Sequence, residues 1–218
     1  MYAVSARRSP APGFTMIEMM VVVVIVAVML AVGVPAMSNW SSSTKAKAAV
    51  GFYAEGMALA RREALTRNSA SRFVLLQNAV SKQFDWRVDL CFVQEGKVCD
   101  EAGAWSTVDA PASGDPDGAV KGFRSVLMNG DALLRTEYME ITLLPAGNDK
   151  IYFTPQGWVD TSFKDRMATM RFAPANGSDD TVRPAALVVP LAGIPNICDW
   201  RVLAPDSRAC PPGSVLTP

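Results

Sequence analysis

No histidine occurs among the 218 residues, which removes the commonest general base and the commonest protein metal ligand. A surplus of either charge is missing too. Lys+Arg and Asp+Glu both count 21, so nothing in the balance calls for nucleic acid as a partner. Cysteine is scarce, at four. The chain lacks a Gly-x-Ser-x-Gly element, a phosphate-binding loop and a dinucleotide fingerprint, and nothing places a base beside a nucleophile. Asp115, Asp117 and Asp131 miss the spacing of a calcium loop and read as a solvated acidic loop. No internal repeat and no second domain is visible. These absences speak against an enzyme and against any cofactor.

What the chain does have is one long uncharged run, Met19 to Met37, close to its start. Counted from Phe14, that segment is long enough to cross a hydrocarbon core of roughly 30 Å as a helix rising about 1.5 Å per residue. An ordinary secretory signal has a shorter apolar region, its charges directly beside it and a small-residue cleavage site after it. Here Arg7 and Arg8 precede a spacer, Ser9-Pro10-Ala11-Pro12, and one carboxylate, Glu18, lies inside the start of the apolar run. Val34-Pro35-Ala36 makes a poor conventional cleavage site, and Arg7-Arg8 a poor twin-arginine signal.

A carboxylate in a membrane helix needs a reason, because such a charge costs a few kcal/mol at the bilayer centre and less near the interface. Glu18 sits in the first helical turn, where the macrodipole favours a negative charge by roughly 0.3–1 kcal/mol. If the chain is cut after Gly13, the positive α-amine of Phe14 becomes a second partner, from the same chain or from a neighbour.

Gly13-Phe14-Thr15-Met16-Ile17-Glu18, with the basic leader before it and the apolar helix after it, resembles the class III signal of type IV pilins and of the pseudopilins of type II secretion. The resemblance implies cleavage after Gly13 by a prepilin peptidase and methylation of the new Phe14 amine. It also implies that Glu18 meets the amine of a neighbouring subunit and sets axial register during assembly. By the positive-inside tendency the leader arginines stay cytoplasmic and the larger part is exported.

Beyond the membrane run the helix is expected to continue, interrupted by Gly33 and Pro35, since proline removes a backbone hydrogen bond. Ala46, Val50, Tyr53, Met57, Ala60 and Ala64 recur at alternating four- and three-residue steps. Ala49, Phe52, Gly56 and Leu59 widen this stripe into one broad packing face, and Asn68-Ser69 is the expected stop. From Arg72 onward the texture turns to short β-type runs. They are Phe73–Gln77, Phe84–Val93, Phe123–Met128, Tyr138–Leu144, Lys150–Thr154, Met167–Phe172, Ala185–Val189 and Ile197–Leu203. Turn formers separate them at Pro145-Ala146-Gly147-Asn148, Gln156-Gly157 and Pro174-Ala175-Asn176-Gly177. Gly103 to Gly122 reads as a surface loop. One helix followed by consecutive strands predicts an α+β fold with antiparallel sheet packed on the helix.

The four cysteines allow three pairings. The local ones, Cys91 with Cys99 and Cys198 with Cys210, are expected, each closing a short loop. In an oxidising periplasm such staples are worth about 2–4 kcal/mol each.

The helix end Ala60-Arg61-Arg62-Glu63-Ala64-Leu65-Thr66-Arg67-Asn68 looks like the equivalent segment of the GspH/FimT/FimU group of minor pilins and pseudopilins. Phe153-Thr154-Pro155-Gln156-Gly157 meets that group's Phe-x-Pro-x-Gly element, and Leu187-Val188-Val189 ahead of Cys198 fits its closing strand. This resemblance implies a leader at 1–13, a membrane and assembly helix at 14–37, an amphipathic continuation at 38–68 and a periplasmic β-rich domain at 69–218. The function implied is that of a low-abundance type IV pilin that primes or caps a filament. A GspH-like pseudopilin of type II secretion is the alternative. The implied partners are prepilin peptidase, other major and minor pilins or pseudopilins, the inner-membrane assembly platform and membrane lipid. Some FimT-like members bind DNA through a Gly-Arg-x-Arg motif. The nearest stretch here, Gly193-Ile194-Pro195-Asn196, has neither arginine, while Arg183, Arg201 and Arg208 are scattered with Asp199 and Asp206 among them. DNA is therefore not the expected partner, and Arg201 and Arg208 read as members of surface ion pairs.

Overall fold

The helix α1 spans Met16–Arg67, and two sequence features set its ends. Thr15 precedes it as an N-cap. At the other end Asn68 takes a left-handed φ of 47°. Ser69 N–H bonds to the carbonyl of Ala64 at 3.1 Å and Asn68 N–H to that of Leu65 at 3.4 Å. Those are the two bonds of a Schellman cap, with asparagine in the place glycine usually takes. Pro35 lies inside the helix, and the expected interruption at Gly33 and Pro35 is absent. Proline removes one hydrogen bond of the ladder but leaves the flanking turns to carry the helix, as transmembrane helices commonly tolerate.

The computed structural model describes residues 13–93, 95, 98–101, 103–107, 110–116, 125–175 and 182–212. The leader arginines Arg7 and Arg8, Asp117, Phe123 and the Asn176-Gly177 turn lie outside the described residues. The chain forms two units, Met1–Trp40 and Ser41–Pro218. In the first, every described residue is exposed, and the apolar stretch is long and hydrophobic enough to cross a membrane.

The second unit starts with the remainder of α1 and, among the described residues, continues through nine strands. These are β1 (Ser71–Gln77), β2 (Phe84–Cys91), β3 (Trp105–Ser106), β4 (Val126–Met128), β5 (Met139–Leu144), β6 (Lys150–Phe153), β7 (Thr169–Pro174), β8 (Ala185–Val188) and β9 (Asn196–Cys198). They make two antiparallel sheets. The first has the order β3-β2-β1-β6, with β4 also pairing β2, and the second the order β5-β7-β8-β9. β1 meets β2 from Ser71↔Leu90 to Gln77↔Phe84, and β6 returns to its other edge with Phe73↔Ile151.

The helix stripe read from the sequence is the buried one: Ala46, Ala49, Val50, Tyr53, Gly56, Met57, Ala60 and Ala64. It shares one core with Phe73, Trp86 and Val88 of the first sheet and Met139, Met170, Phe172 and Leu187 of the second. Full burial of such side chains contributes about 1.5–3 kcal/mol each. Tyr53 does more than fill space. Its hydroxyl donates to the carbonyl of Phe84 at 2.8 Å and accepts from the Phe84 N–H at 3.2 Å, tying the helix to the start of β2. Burial is the main force holding that phenol protonated, and it pushes its pKa well above the ordinary tyrosine range. Ser71 Oγ donates to the Ala60 carbonyl at 2.6 Å, a second tie from strand to helix.

Three expectations change. Trp105–Ser106 forms a strand inside what reads as a surface loop, and both residues are buried. Ser106 Oγ donates to Asp115 at 2.8 Å, so Asp115 is a buried partner rather than a solvated carboxylate. The last strand stops at Cys198 rather than Leu203, because the Asp199 carboxylate accepts the Arg201 N–H at 3.0 Å and closes a turn. Asp131, by contrast, is exposed and accepts from Asn78 Nδ2 at 2.7 Å.

Candidate assembly site

Gly13, Phe14 and Glu18 lie together within the first turn of α1 and the residues just before it. Phe14 is 76 % exposed, and Glu18 is exposed as well. Thr15 Oγ1 accepts the Glu18 N–H at 3.2 Å, and the Glu18 carboxylate reaches back to the Thr15 N–H at 3.5 Å. This is a capping box, Thr-x-x-Glu, in which two orphan donors of the helix start are satisfied reciprocally. Sequence reasoning placed Glu18 in the first turn for its charge and missed this bond, although the spacing from Thr15 to Glu18 carries it. The carboxylate therefore has a partner within its own chain. The backward contact is long, so it leaves the oxygen pair open to a stronger donor.

At Gly13 a Cβ would meet nothing within 4 Å. The fold places no demand for glycine there. Gly157 differs. Its φ is 75°, and a Cβ would stand 2.9 Å from Leu65 Cγ. Arg61 Nε donates to the Gly157 carbonyl at 3.0 Å and to that of Ala192 at 3.3 Å, so the end of α1 holds two loops at once. The arginine of the Ala60–Asn68 segment and the glycine of the Phe153–Gly157 element thus belong to one contact.

The cysteines form two disulfides, Cys91–Cys99 and Cys198–Cys210. Arg208 pairs with Asp206 at 2.8 Å, and its hydrogen bonds pull that carboxyl down to about 2. Arg201 departs from the expected ion pair. Its guanidinium lies over the Trp200 ring, 5.3 Å from the centroid, and Arg171 lies over the same ring at 5.2 Å. A buried charge cluster that the sequence did not disclose joins the first sheet. Asp89 accepts Arg72 Nε at 2.8 Å and Ser125 Oγ at 2.9 Å, with Arg87 Nε also 2.8 Å away. Among the described residues no three His, Cys, Asp or Glu side chains gather to hold a metal ion.

A long apolar N-terminal helix that continues into an α+β domain of antiparallel sheets is a pilin-like arrangement. Family comparison narrows the class. The prokaryotic N-terminal methylation motif matches residues 8–34, which include Gly13, Phe14 and Glu18. Type II transport protein GspH matches residues 53–193, more than half of the chain, and the chain belongs to that family. These are families of structural pilin and pseudopilin components. No curated protein and no solved structure matches the chain.

Proposed function

We propose that the chain is a minor type IV pilin. It is held in the inner membrane by its long apolar helix, with its β domain in the periplasm, and it enters the initiation or tip complex of a pilus. The observation that carries this reading is the methylation motif placed over an exposed Gly13–Phe14 junction at the head of a membrane-length helix. Prepilin peptidase cuts after Gly13 and the Phe14 amine is methylated. Glu18 then takes a neighbouring subunit's amine as a charge-assisted donor, in exchange for its long contact with Thr15. The partners are other major and minor pilins, the assembly platform and the surrounding lipid. The role is assembly, not catalysis.

Gly13→Ala is expected to leave an unprocessed precursor of normal fold, because the added methyl meets no neighbour. Immunoblotting against the wild type reads the size difference, and Phe14-started protein in the variant would remove Gly13 from the determinants of cleavage. Glu18→Gln separates the two roles of that carboxylate. Glutamine still completes a capping box, so helix content is retained. Losing the charge-assisted bond, worth about 1.5–3 kcal/mol, lowers incorporation into sheared fibres roughly ten- to hundredfold. Undiminished incorporation would reduce Glu18 to a cap.

The family description favours a second reading, a pseudopilin of type II secretion. Deleting the gene separates the two. Loss of surface pili that complementation restores supports the pilus role, and normal pili with lost secretion transfers the protein to the secretion machine.

A further inference from the structure

A small apolar socket opens beside the early part of the second unit's helix. Ala46 and Val50 of α1, Met139, Phe172, Ala185 and Ile197 line a cavity of about 260 Å³. Drug-sized ligands occupy roughly 300–1,000 Å³, so this one suits a single side chain. Two cations, Lys47 and Arg183, stand exposed at its rim. Among the described residues neither has an ion-pair partner. An apolar floor with two free cations above it fits an apolar side chain flanked by carboxylates.

The chain itself carries such an element. Val98 is 66 % exposed and is followed by exposed Asp100 and Glu101. The segment is held in place: Cys99 is bonded to Cys91, and the Asp100 carbonyl accepts Trp105 Nε1 at 2.6 Å. Ordering costs are thus largely met before any contact forms. Cys91 is fixed to the far end of the helix, with its N–H on the Ala70 carbonyl at 2.8 Å and its own carbonyl accepting Ser69 Oγ. From Ala46 to Arg67 the helix advances about 30 Å at 1.5 Å per residue. Socket and tip therefore lie at opposite ends of the helical part of this unit, too far apart to meet within one chain.

We infer that the Lys47/Arg183 socket receives the Val98-Asp100-Glu101 tip of a second copy of this chain, in a head-to-tail contact. Such a contact uses two different surfaces and, unless its rotation closes a ring, propagates along an axis. The inference goes beyond the minor-pilin reading, adding a second copy of this chain to the neighbours that an initiation or tip subunit meets. It rests on that reading only for where the copies meet, since self-association can be measured apart from any pilus or secretion phenotype.

The test uses the full chain in detergent micelles with a carbodiimide, which joins a carboxylate to an amine in direct contact. A dimer linked from Lys47 to Asp100 or Glu101, located by peptide mapping, is expected. Lys47→Glu with Arg183→Glu reverses the socket, and Asp100→Lys with Glu101→Lys reverses the tip. All four side chains are exposed, and the Trp105 bond uses the backbone of residue 100, so folding is spared. Each double variant alone should lose about tenfold in dimer yield, and an equal mixture of the two should recover it, because the reversed charges again match. A mixture no better than either variant alone overturns the inference. So does a socket reversal that abolishes binding to vesicles of anionic phospholipid while self-association stays unchanged, which would assign the site to lipid headgroups.

Discussion

Asp89→Ala is expected to destabilise the protein by about 3–5 kcal/mol, the usual cost of breaking a buried ion pair from one side. The Asp89 side chain is fully buried, while those of Arg72 and Arg87 are only 10 % and 14 % exposed. The carboxylate is an acceptor for Arg72 and Ser125 and a counter-charge for Arg87, whose Nε–H has no aligned hydrogen bond of its own. Alanine removes all three services together. Arg72 is then left between strands, with only the Trp105 ring 4.6 Å from its guanidinium and the nearby Tyr152 hydroxyl for company. For a domain of this size a loss of 1 kcal/mol lowers Tm by about 2–4 °C, so a fall of roughly 6–20 °C is expected in a thermal melt. Asp89→Asn keeps the shape and one acceptor and should fall between the two. A change below about 1 kcal/mol for the alanine variant would mean that water already screens the cluster, as it does for surface pairs.

That cluster also marks where the sequence stopped being legible. The helix face was readable because burial on a helix repeats at fixed spacing, and the residues from Ala46 to Ala64 carry that spacing without help from elsewhere. The helix end was readable from Asn68-Ser69 for the same local reason. Asp89 gives no such signal. It sits in a strand otherwise rich in apolar residues, and although Arg87 is two residues away on β2, Arg72 and Ser125 are brought to it only by the pairing of β1, β2 and the residues before β4. Whether a carboxylate faces water or an arginine is decided by register, which a single chain does not print. The two-residue strand Trp105–Ser106 is too short to show alternation, and its burial depends on a ladder with Cys91 and Leu90. The division into two sheets is a matter of long-range pairing as well, since β6 skips back to β1 across four intervening strands.

The N-terminal methylation motif was legible for the opposite reason. A membrane helix is governed by composition and length, and a carboxylate inside it stands out against its neighbours. What was overlooked there, the Thr15–Glu18 capping box, is also a local pattern, hidden because Glu18 invited an explanation by charge alone. The socket beneath Lys47 and Arg183 was not readable at all. Its lining comes from α1, β5, β7, β8 and β9, and only the folded domain brings those side chains to one place.

Two glycines of the same helix give the sharpest test of how tightly α1 meets the sheets. Gly51→Ala and Gly56→Ala are expected to change stability in opposite directions. Each substitution gains helix propensity, about 1 kcal/mol in a helix interior. At Gly51 the residue is exposed and a Cβ meets nothing within 4 Å, so the gain stands and Tm rises by a few degrees. At Gly56 a Cβ would fall 2.6 Å from Trp86 Cδ2 and 2.7 Å from Phe73 Cε2. Both rings are buried, at 2 % and 0 % exposure, and they lean on one another with centroids 6.1 Å apart. Trp86 is backed on another side by Phe52, at 5.7 Å. Rings confined in this way cannot recede one at a time, so the methyl must push the helix off the first sheet or force strained rotamers. Overpacking of that kind costs about 1–3 kcal/mol, enough to outweigh the propensity gain. Leucine at the same place would add three more carbons and exceed that range. Thermal melts of the two alanine variants beside the wild type decide the matter. A Gly56→Ala protein as stable as Gly51→Ala would show that the helix rides loosely on Trp86 and Phe73, and that the close approach at Gly56 is not what holds the sheet to the helix.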